Sequence, residues 1–240
     1  MTGNPPSDGR LTRIGLIVPS SNTVMENDLH RYLPKDRYSV HTDRMYLVET
    51  TRDAEVEMIE TYAPLAAADL GTANPDLLVF GCTSGGSLFG LEYDARVCAD
   101  LGEKAGCEVM GVVTAAAEAL GRRDVHRVAV ITPYVEDLTD SVARALAAPG
   151  RDIVAAHGMG ISVNVALADP TPDEIAAFAT EKLDGVSFDA LFISCTNFRG
   201  MEAAELLRRK FNVRVLTSNS AIIEAIRLKF EGKDFPGDGR

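Results

Sequence analysis

The chain has 240 residues, of which 46% are hydrophobic, and its formal net charge is −11 at pH 7. A chain of this length can bury one large hydrophobic core or two small ones. The acidic balance and the lack of a basic cluster with interleaved aromatic residues argue against nucleic-acid binding, and no apolar run reaches the roughly 18 residues that a membrane span needs.

The N-terminal residues and the cysteines indicate the cellular setting. Residues 1–10 lack the apolar core of a signal peptide, so we expect a cytoplasmic protein with neither a nucleic-acid nor a membrane partner. Four cysteines in a chain of this size do not indicate a disulfide framework, and free thiols suit a reducing compartment.

Short apolar runs predict eight strands. Runs of Val, Ile and Leu without polar alternation are typical of parallel strands that are covered on both faces. Six of them lie at 14–18, 77–80, 109–113, 127–131, 190–194 and 213–217, and two weaker strands are predicted at 38–45 and 153–157.

Helical patterns alternate with these strands. The helix predicted over 172–183 follows Thr171, a good N-cap, and carries Glu174 in its first turn. The other helical patterns lie at 55–70, 115–120, 203–210 and 221–229. Repeated βα units of this kind predict an α/β fold with open parallel sheets, in which ligands bind beyond the carboxyl ends of the strands.

The chain also repeats itself. The strand that ends at Pro19 has a counterpart that ends at Pro133, 114 residues later, and the strand before Cys82 has a counterpart before Cys195, 113 residues later. The pattern therefore predicts two pseudo-symmetric halves, each a four-stranded parallel sheet flanked by helices, with the active site in the cleft between them.

The repeat also suggests a division into domains. We assign the C-terminal helix to the first half, because it follows the last strand through the segment 217–220, which has the composition of a hinge. The expected division is a flexible leader at 1–12, a first α/β domain at 13–117 plus 218–240, and a second α/β domain at 118–217.

Two cysteines occupy equivalent positions in this repeat. Cys82 and Cys195 each follow a strand and are each followed by Thr and a polar residue. A pseudo-twofold axis would bring the two thiols face to face, where they can act on opposite sides of one substrate carbon. The alternative, that both are small buried hydrophobes, is less favoured for a duplicated pair. Cys98 and Cys107 lack this context and are predicted to be structural.

The sequence offers no site for a metal or a nucleotide. No C-x-x-C or H-x-x-x-H spacing is present, and there is neither a Walker A loop nor a G-x-G-x-x-G motif. A redox disulfide between Cys82 and Cys195 conflicts with thiols that flank a substrate, because they must stand too far apart to bond. We therefore expect no cofactor.

Polar residues at the strand ends are candidates for binding a carboxylate. Ser20, Ser21 and Asn22 follow the first strand, and Tyr134 occupies the equivalent turn of the second half. The alternatives are an ordinary helix cap by Ser21 or Asn22 and an exposed tyrosine at a helix start. The residues after the two cysteines add further candidates: Thr83, Ser84, Thr196 and Asn197.

At these residues the chain resembles the aspartate/glutamate racemase superfamily and, within it, the maleate cis-trans isomerase branch. The resemblance covers about residues 13–230. It is carried by the opening run 14–26 (Ile-Gly-Leu-Ile-Val-Pro-Ser-Ser-Asn-Thr-Val-Met-Glu), by the cysteine motifs 81–85 (Gly-Cys-Thr-Ser-Gly) and 194–197 (Ser-Cys-Thr-Asn), and by the run 90–94.

The resemblance implies a cofactor-free enzyme in which one cysteine adds to an alkene carbon of a cis-enedioate and leaves a single bond that can rotate. Carried over by motif, Cys82 is the nucleophile and Cys195 the acid/base. Asn22, Tyr134 and Asn164 are then expected to bind carboxylate oxygens. The stretch around Asn164 departs from the branch pattern, since Val163 stands where a polar residue is usual.

Several functions stay open at this point. The leading hypothesis is a cis-trans isomerase of maleate or a close relative, and the runner-up is a two-cysteine racemase or epimerase of an acidic amino acid. A malonate-type decarboxylase and a non-catalytic carboxylate-binding protein are less favoured. Arg199 is either a second carboxylate ligand or a solvated residue. The expected partner is a small dicarboxylate, and a homodimer is left open.

Overall fold

The computed structural model describes residues 9–123 and 125–232, so most of the predicted leader, and the end of the chain, lie outside the described residues. Two four-stranded parallel sheets with the same topology form its centre. The first has the order β2-β1-β3-β4, and the second has the order β6-β5-β7-β8. The predicted fold class, two similar α/β halves, is confirmed.

The strands lie close to their predicted positions. The first sheet comprises β1 (Thr12–Pro19), β2 (Tyr38–Met45), β3 (Leu77–Phe80) and β4 (Val109–Gly111), and the second comprises β5 (Arg127–Thr132), β6 (Asp152–Gly158), β7 (Ala190–Ile193) and β8 (Arg214–Thr217). The main difference is at β4, which was predicted to continue to residue 113. Val112 and Val113 are buried, as expected, but they already belong to the next helix.

Helices cover both faces of the sheets. In chain order they are α1 (Met25–Tyr32), α2 (Arg52–Glu57), α3 (Ala63–Gly71), α4 (Thr83–Ser87), α5 (Leu91–Ala105), α6 (Val112–Gly121), α7 (Glu136–Leu146), α8 (Pro172–Lys182), α9 (Gly200–Phe211) and α10 (Ser218–Glu231). A short 3₁₀ helix spans Val165–Ala168. As predicted, Thr171 caps α8, where it forms a capping box with Glu174.

A wide helical turn interrupts the helix that was predicted over 55–70. α2 and α3 are joined by a π-helical segment, Met58–Tyr62, and Pro64 follows it at the start of α3. Proline has no backbone N–H and clashes with the preceding turn of an α-helix, and a π-turn relieves this conflict. The same segment turns the side chains of Met58 and Ile59 into the core.

The last helix returns to the first half of the molecule. Ile222, Ile223 and Ile226 of α10 lie in one buried cluster with Ile14 and Leu16 of β1. The segment 217–220, which has the composition of a hinge, forms the capped start of this helix. Within the described residues, no helix is long and apolar enough to cross a membrane.

A buried ion pair ties α10 to the end of α6. Glu224 of α10 is almost completely buried, and its carboxylate accepts hydrogen bonds from Arg122 (2.8 Å) and from Arg123. Removing one member of a buried pair is costly because the charge left behind has lost its partner.

We therefore expect Glu224→Gln to lower the free energy of unfolding by about 3 kcal/mol, because two guanidinium groups lose their counter-charge. Urea denaturation followed by circular dichroism measures the effect. Glu118→Gln is the control, since Glu118 pairs with Arg122 at the surface, where a salt bridge contributes about 0–1 kcal/mol. Equal small losses in both variants would show that the buried pair does not hold the two helices together.

Candidate active site

The candidate residues lie at the carboxyl ends of the central strands of both sheets. β1 and β3 are neighbours in the first sheet, and Cys82 follows β3; β5 and β7 are neighbours in the second sheet, and Cys195 follows β7. In each sheet the strand order reverses between these two strands, and ligands of open α/β sheets bind at such points.

Cys82 is held at the start of α4. Its sulfur accepts a hydrogen bond from the backbone N–H of Gly85 at 3.4 Å and lies 3.8 Å from the Ser84 hydroxyl oxygen. The preceding residue must be glycine, because a Cβ at Gly81 would lie 2.7 Å from the carbonyl oxygen of Ile17. Only 3% of Cys82 is exposed.

Cys195 has a different backbone. Its φ angle is +101°, a region that favours glycine and that costs other residues about 1–3 kcal/mol. The backbone N–H of Cys195 donates to the Ser218 hydroxyl oxygen at 3.0 Å, and its sulfur accepts the N–H of Asn197 at 3.2 Å. These two hydrogen bonds stabilise the unusual conformation. Cys195 is 5% exposed.

Burial keeps both sulfurs in the thiol form. It raises the pKa of Cys82 well above the usual range, and the nearby Glu55 raises it further. It raises the pKa of Cys195 to about 12, although the hydrogen bonds from Tyr134 and from the Asn197 N–H act in the opposite direction. Cys195 also adds to the raised pKa of Cys82, so the two thiols are electrostatic neighbours.

Tyr134 is completely buried and is not an exposed tyrosine at a helix start. Its side chain forms a hydrogen bond with that of Cys195, and burial is the main reason why the pKa of its hydroxyl is strongly raised. Tyr134 and Cys195 therefore form one hydrogen-bonded unit of the second half, and Cys82 lies close enough to affect the Tyr134 pKa.

Polar side chains join the two halves directly. The Asn22 amide donates to the Thr196 hydroxyl oxygen at 3.0 Å, and Thr196 donates to the carbonyl oxygen of Gly81 at 3.0 Å. The Thr23 N–H donates to the side-chain oxygen of Asn197 at 2.8 Å. Three of the predicted site residues, Asn22, Thr196 and Asn197, are thus hydrogen-bonded across the boundary between the halves.

Asn22 also caps the first helix. Its side-chain oxygen accepts the N–H groups of Val24 and Met25, each at 3.0 Å. Both predictions for this residue therefore fit its position: the oxygen caps a helix, while the amide N–H₂ group lies at the boundary between the halves.

Asn164 reaches the same boundary from the second half. Its amide donates to the Ser21 hydroxyl oxygen at 2.7 Å, and its side-chain oxygen accepts the Thr50 hydroxyl at 3.0 Å. Its carbonyl oxygen accepts the Asn197 amide at 2.7 Å. The structure thus brings Asn164 together with Ser21 and Asn197 despite the departure in the surrounding sequence.

Two candidates lie further from the thiols. Ser20 exchanges hydrogen bonds with the backbone of Leu47. Arg199 is partly exposed at the start of α9, where it forms an ion pair with Glu202 at 2.9 Å. Neither contact leads toward Cys82 or Cys195, so neither side chain belongs to the buried cluster around them.

The sequence analysis missed Ser218 and Glu55. Ser218 accepts hydrogen bonds from the Cys195 N–H and from the Thr83 hydroxyl (2.9 Å). Glu55 is fully buried on α2, where its Oε1 is hydrogen-bonded to the Ser84 hydroxyl. The sequence did contain a signal for Glu55. It lies three residues before Met58 and four before Ile59, which places its charge on the same side of the helix as these two core residues.

The fold and the site together define a class of protein. Two similar α/β halves, each with a buried cysteine at an equivalent strand end, are the arrangement of the aspartate/glutamate racemase superfamily. A family model described as arylmalonate decarboxylase matches residues 14–240, and the chain belongs to this family.

Individual relatives indicate the branch of the superfamily to which the chain is most similar. The maleate isomerase of Nocardia farcinica is 27% identical over 220 residues, which cover 88% of this chain and 87% of the relative. A mutant of the N. farcinica maleate cis-trans isomerase with a covalently bound succinylcysteine intermediate has a TM-score of 0.86 at 25% identity, covering 96% of this chain and 98% of that chain. The maleate isomerase Iso from Pseudomonas putida S16 has a TM-score of 0.85 at 21% identity, covering 96% and 98%. The resemblance to the maleate isomerase branch is confirmed.

The burial of Glu55 predicts a pH-dependent stability. Burial raises the pKa of its carboxyl from 4.5 to about 8, so between these values the folded protein binds a proton that the unfolded chain releases. Stability therefore falls as the pH rises through this window, by up to about 1.4 kcal/mol per pH unit. Glu55→Gln cannot ionise, so we expect its stability relative to the wild type to increase from about pH 5 to about pH 8.

Urea denaturation at several pH values measures this difference. Glu57→Gln is the matched control, because Glu57 is exposed on the same helix and its replacement should leave the pH dependence unchanged. A constant difference between Glu55→Gln and the wild type would show that Glu55 ionises normally in the folded protein.

Proposed function

We propose that this protein is a cofactor-independent cis-trans isomerase of maleate or a closely related cis-enedioate. The observation that carries the proposal is the pair of buried thiols, Cys82 and Cys195, that approach one another from equivalent strand ends of the two halves. The relatives support it, since four of them are named maleate isomerase and one related structure holds a succinylcysteine intermediate.

The chemistry needs one sulfur that adds and one that moves a proton. Cys82 first gives up its thiol proton to water. The thiolate then forms a C–S bond to one alkene carbon, and the π electrons move to the neighbouring carbon. Cys195 gives that carbon a proton, which leaves a succinyl thioether whose central C–C bond can rotate. After rotation the Cys195 thiolate removes the proton, the C=C bond re-forms in the trans arrangement and the C–S bond breaks. One difficult rotation thus becomes two easier steps.

The surroundings of each sulfur fit these roles. Each sulfur accepts a backbone N–H, from Gly85 at Cys82 and from Asn197 at Cys195, and such donors stabilise a thiolate. The hydrogen bond with Tyr134 counteracts the rise in the pKa of Cys195. The single hydroxyl proton of Tyr134 points to a substrate carboxylate instead when the substrate is bound. Burial opposes both thiolates, so the charged forms are confined to the reaction itself.

Neutral donors hold the substrate carboxylates in this proposal. The interactions that set the pKa values of Cys82 and Cys195 involve no basic side chain of the described residues. The amides of Asn22 and Asn164, with the hydroxyl groups of Ser21 and Tyr134, are the candidate donors, and Thr83, Ser84, Thr196 and Asn197 support them. Several of these groups are hydrogen-bonded across the boundary, and in this proposal the substrate carboxylates compete with those partners. A cytoplasmic location and the lack of nucleic-acid and membrane partners stay predictions.

The two cysteines should be indispensable. We expect Cys82→Ala and Cys195→Ala each to lower kcat for maleate isomerisation by at least about a thousandfold, because each removes a reacting group, while the fold persists. Cys98→Ala and Cys107→Ala are the controls and should retain activity. Proton NMR of maleate in deuterated buffer measures the conversion. Full activity in either site variant would end the two-cysteine mechanism.

The same NMR assay separates the other reactions. Solvent deuterium incorporated into D- or L-aspartate or glutamate would identify a racemase, and loss of a carboxyl group from a phenylmalonate would identify a decarboxylase. Either reaction at a rate far above that with maleate would overturn the proposed function.

The donors to the substrate can be tested without disturbing the helix cap. Asn22→Asp keeps the oxygen that caps α1 but replaces the donor by an acceptor, and Tyr134→Phe removes one hydroxyl group. We expect each to lower kcat/KM by about 10- to 100-fold, as for the loss of a hydrogen bond to a charged group worth about 1.5–3 kcal/mol. Asn27→Asp and Tyr46→Phe are the exposed controls. Wild-type kcat/KM in both site variants would show that the carboxylates bind elsewhere.

A further inference from the structure

A carboxylic acid that has no part in the reaction described above lies beside the nucleophile. Glu55 has no exposed surface, and the Ser84 hydroxyl is hydrogen-bonded to its Oε1. The same hydroxyl oxygen is 3.8 Å from the sulfur of Cys82. Glu55, Ser84 and Cys82 therefore form a continuous hydrogen-bonded chain that ends at the reacting sulfur.

The charge of Glu55 is not compensated in this position. Its Oε2 is buried and has no hydrogen-bond partner in the described part of the chain. Among the described residues, Arg52, one turn earlier on α2, is the one basic side chain that acts on Glu55, and its guanidinium group forms an ion pair with Asp137 at 3.1 Å. A buried carboxylate without a counter-charge costs several kcal/mol, and such a group takes up a proton instead.

The groups that face Glu55 reinforce this conclusion. Its electrostatic neighbours are Arg52 on its own helix, Cys82 after β3, Tyr93 on α5, Tyr134 after β5 and Cys195 after β7. Apart from Arg52, each of them is neutral or becomes negative on ionisation. A substrate with two carboxylates would add negative charge to the same space.

We propose that Glu55 works as an uncharged carboxylic acid that orients the hydroxyl group of Ser84 toward the anion in the site. This inference rests on the proposed function and names a positioning residue for it. In the acid form, Glu55 donates its proton to the Ser84 oxygen, which leaves the Ser84 proton free to point at the Cys82 thiolate or a substrate carboxylate. In the ionised form, Ser84 donates to Glu55 instead, and the site loses a donor and gains a negative charge.

The consequence is a specific dependence on pH. The transition state holds Glu55 in its acid form, whereas the free enzyme loses that proton as the pH rises through the pKa of the buried group, raised to about 8. Above this pH, the wild-type enzyme must recover a proton before each reaction. Glu55→Gln carries a neutral group of the same shape at every pH, so it has no such requirement.

The test is the ratio of kcat/KM for maleate in Glu55→Gln to that in the wild type, measured from about pH 6 to about pH 9.5. We expect the ratio to be constant below about pH 7.5 and then to increase about tenfold per pH unit. Glu57→Gln, exposed on the same helix, should give a ratio that does not change. A ratio for Glu55→Gln that is constant throughout means a purely structural role, and one that falls with pH means that the carboxylate is the working form; both overturn the proposal.

A second measurement uses the wild-type protein and does not depend on catalytic activity. In wild-type protein labelled with ¹³C at the glutamate side-chain carboxyl, one resonance should titrate near pH 8, whereas solvated glutamates titrate near about 4.3. If all glutamate resonances titrate below about pH 6, Glu55 is ionised at neutral pH and the proposal fails. Because this titration is independent of catalysis, its outcome does not depend on whether maleate is the substrate.

Discussion

The withdrawal of polar groups from water at the boundary between the halves is the constraint on which the rest of the site depends. A buried polar group needs a partner, and a buried charge needs a counter-charge or a proton. Asn22 and Thr196 are hydrogen-bonded partners of this kind, and so are Thr23 and Asn197. The two thiols and Glu55 avoid a buried charge by keeping their protons. The same burial that joins the halves therefore determines the resting charge of the site.

The duplication supplies two thiols, but the local backbone makes them unequal. Cys82 has an extended backbone at a helix start. Hydrogen bonds connect it to Ser84 and, through Ser84, to the buried Glu55. Cys195 has a positive φ angle and is paired with Tyr134. A reaction that adds a sulfur to one carbon and moves a proton at the next carbon needs this kind of inequality, which a perfectly symmetric pair could not provide.

Much of this arrangement could be predicted from the sequence, because the patterns involved are local. Apolar runs gave the strands, and the repeat aligned Cys82 with Cys195. The pairing of Asn22 with Thr196 could not be foreseen, since it joins residues 174 positions apart that meet only when both halves have folded. Glu55 was missed for a related reason: its helical pattern is that of an ordinary amphipathic helix, and only the packing of α2 against α4 buries its carboxyl group.

The proposed function requires a protein with a net charge of −11 to bind a dianion, and neutral donors are the proposed means. Long-range repulsion is weak, because salt screens exposed charges beyond about 8 Å. Within the site, the Asn22 amide donates to the neutral Thr196 hydroxyl and the Asn164 amide to the neutral Ser21 hydroxyl. A hydrogen bond to a carboxylate is roughly twice as strong as one between neutral groups, so in the proposed site this difference favours an anion over a neutral ligand at these amides. The neutral contacts that join the halves are thus also what would make the proposed site select for anions.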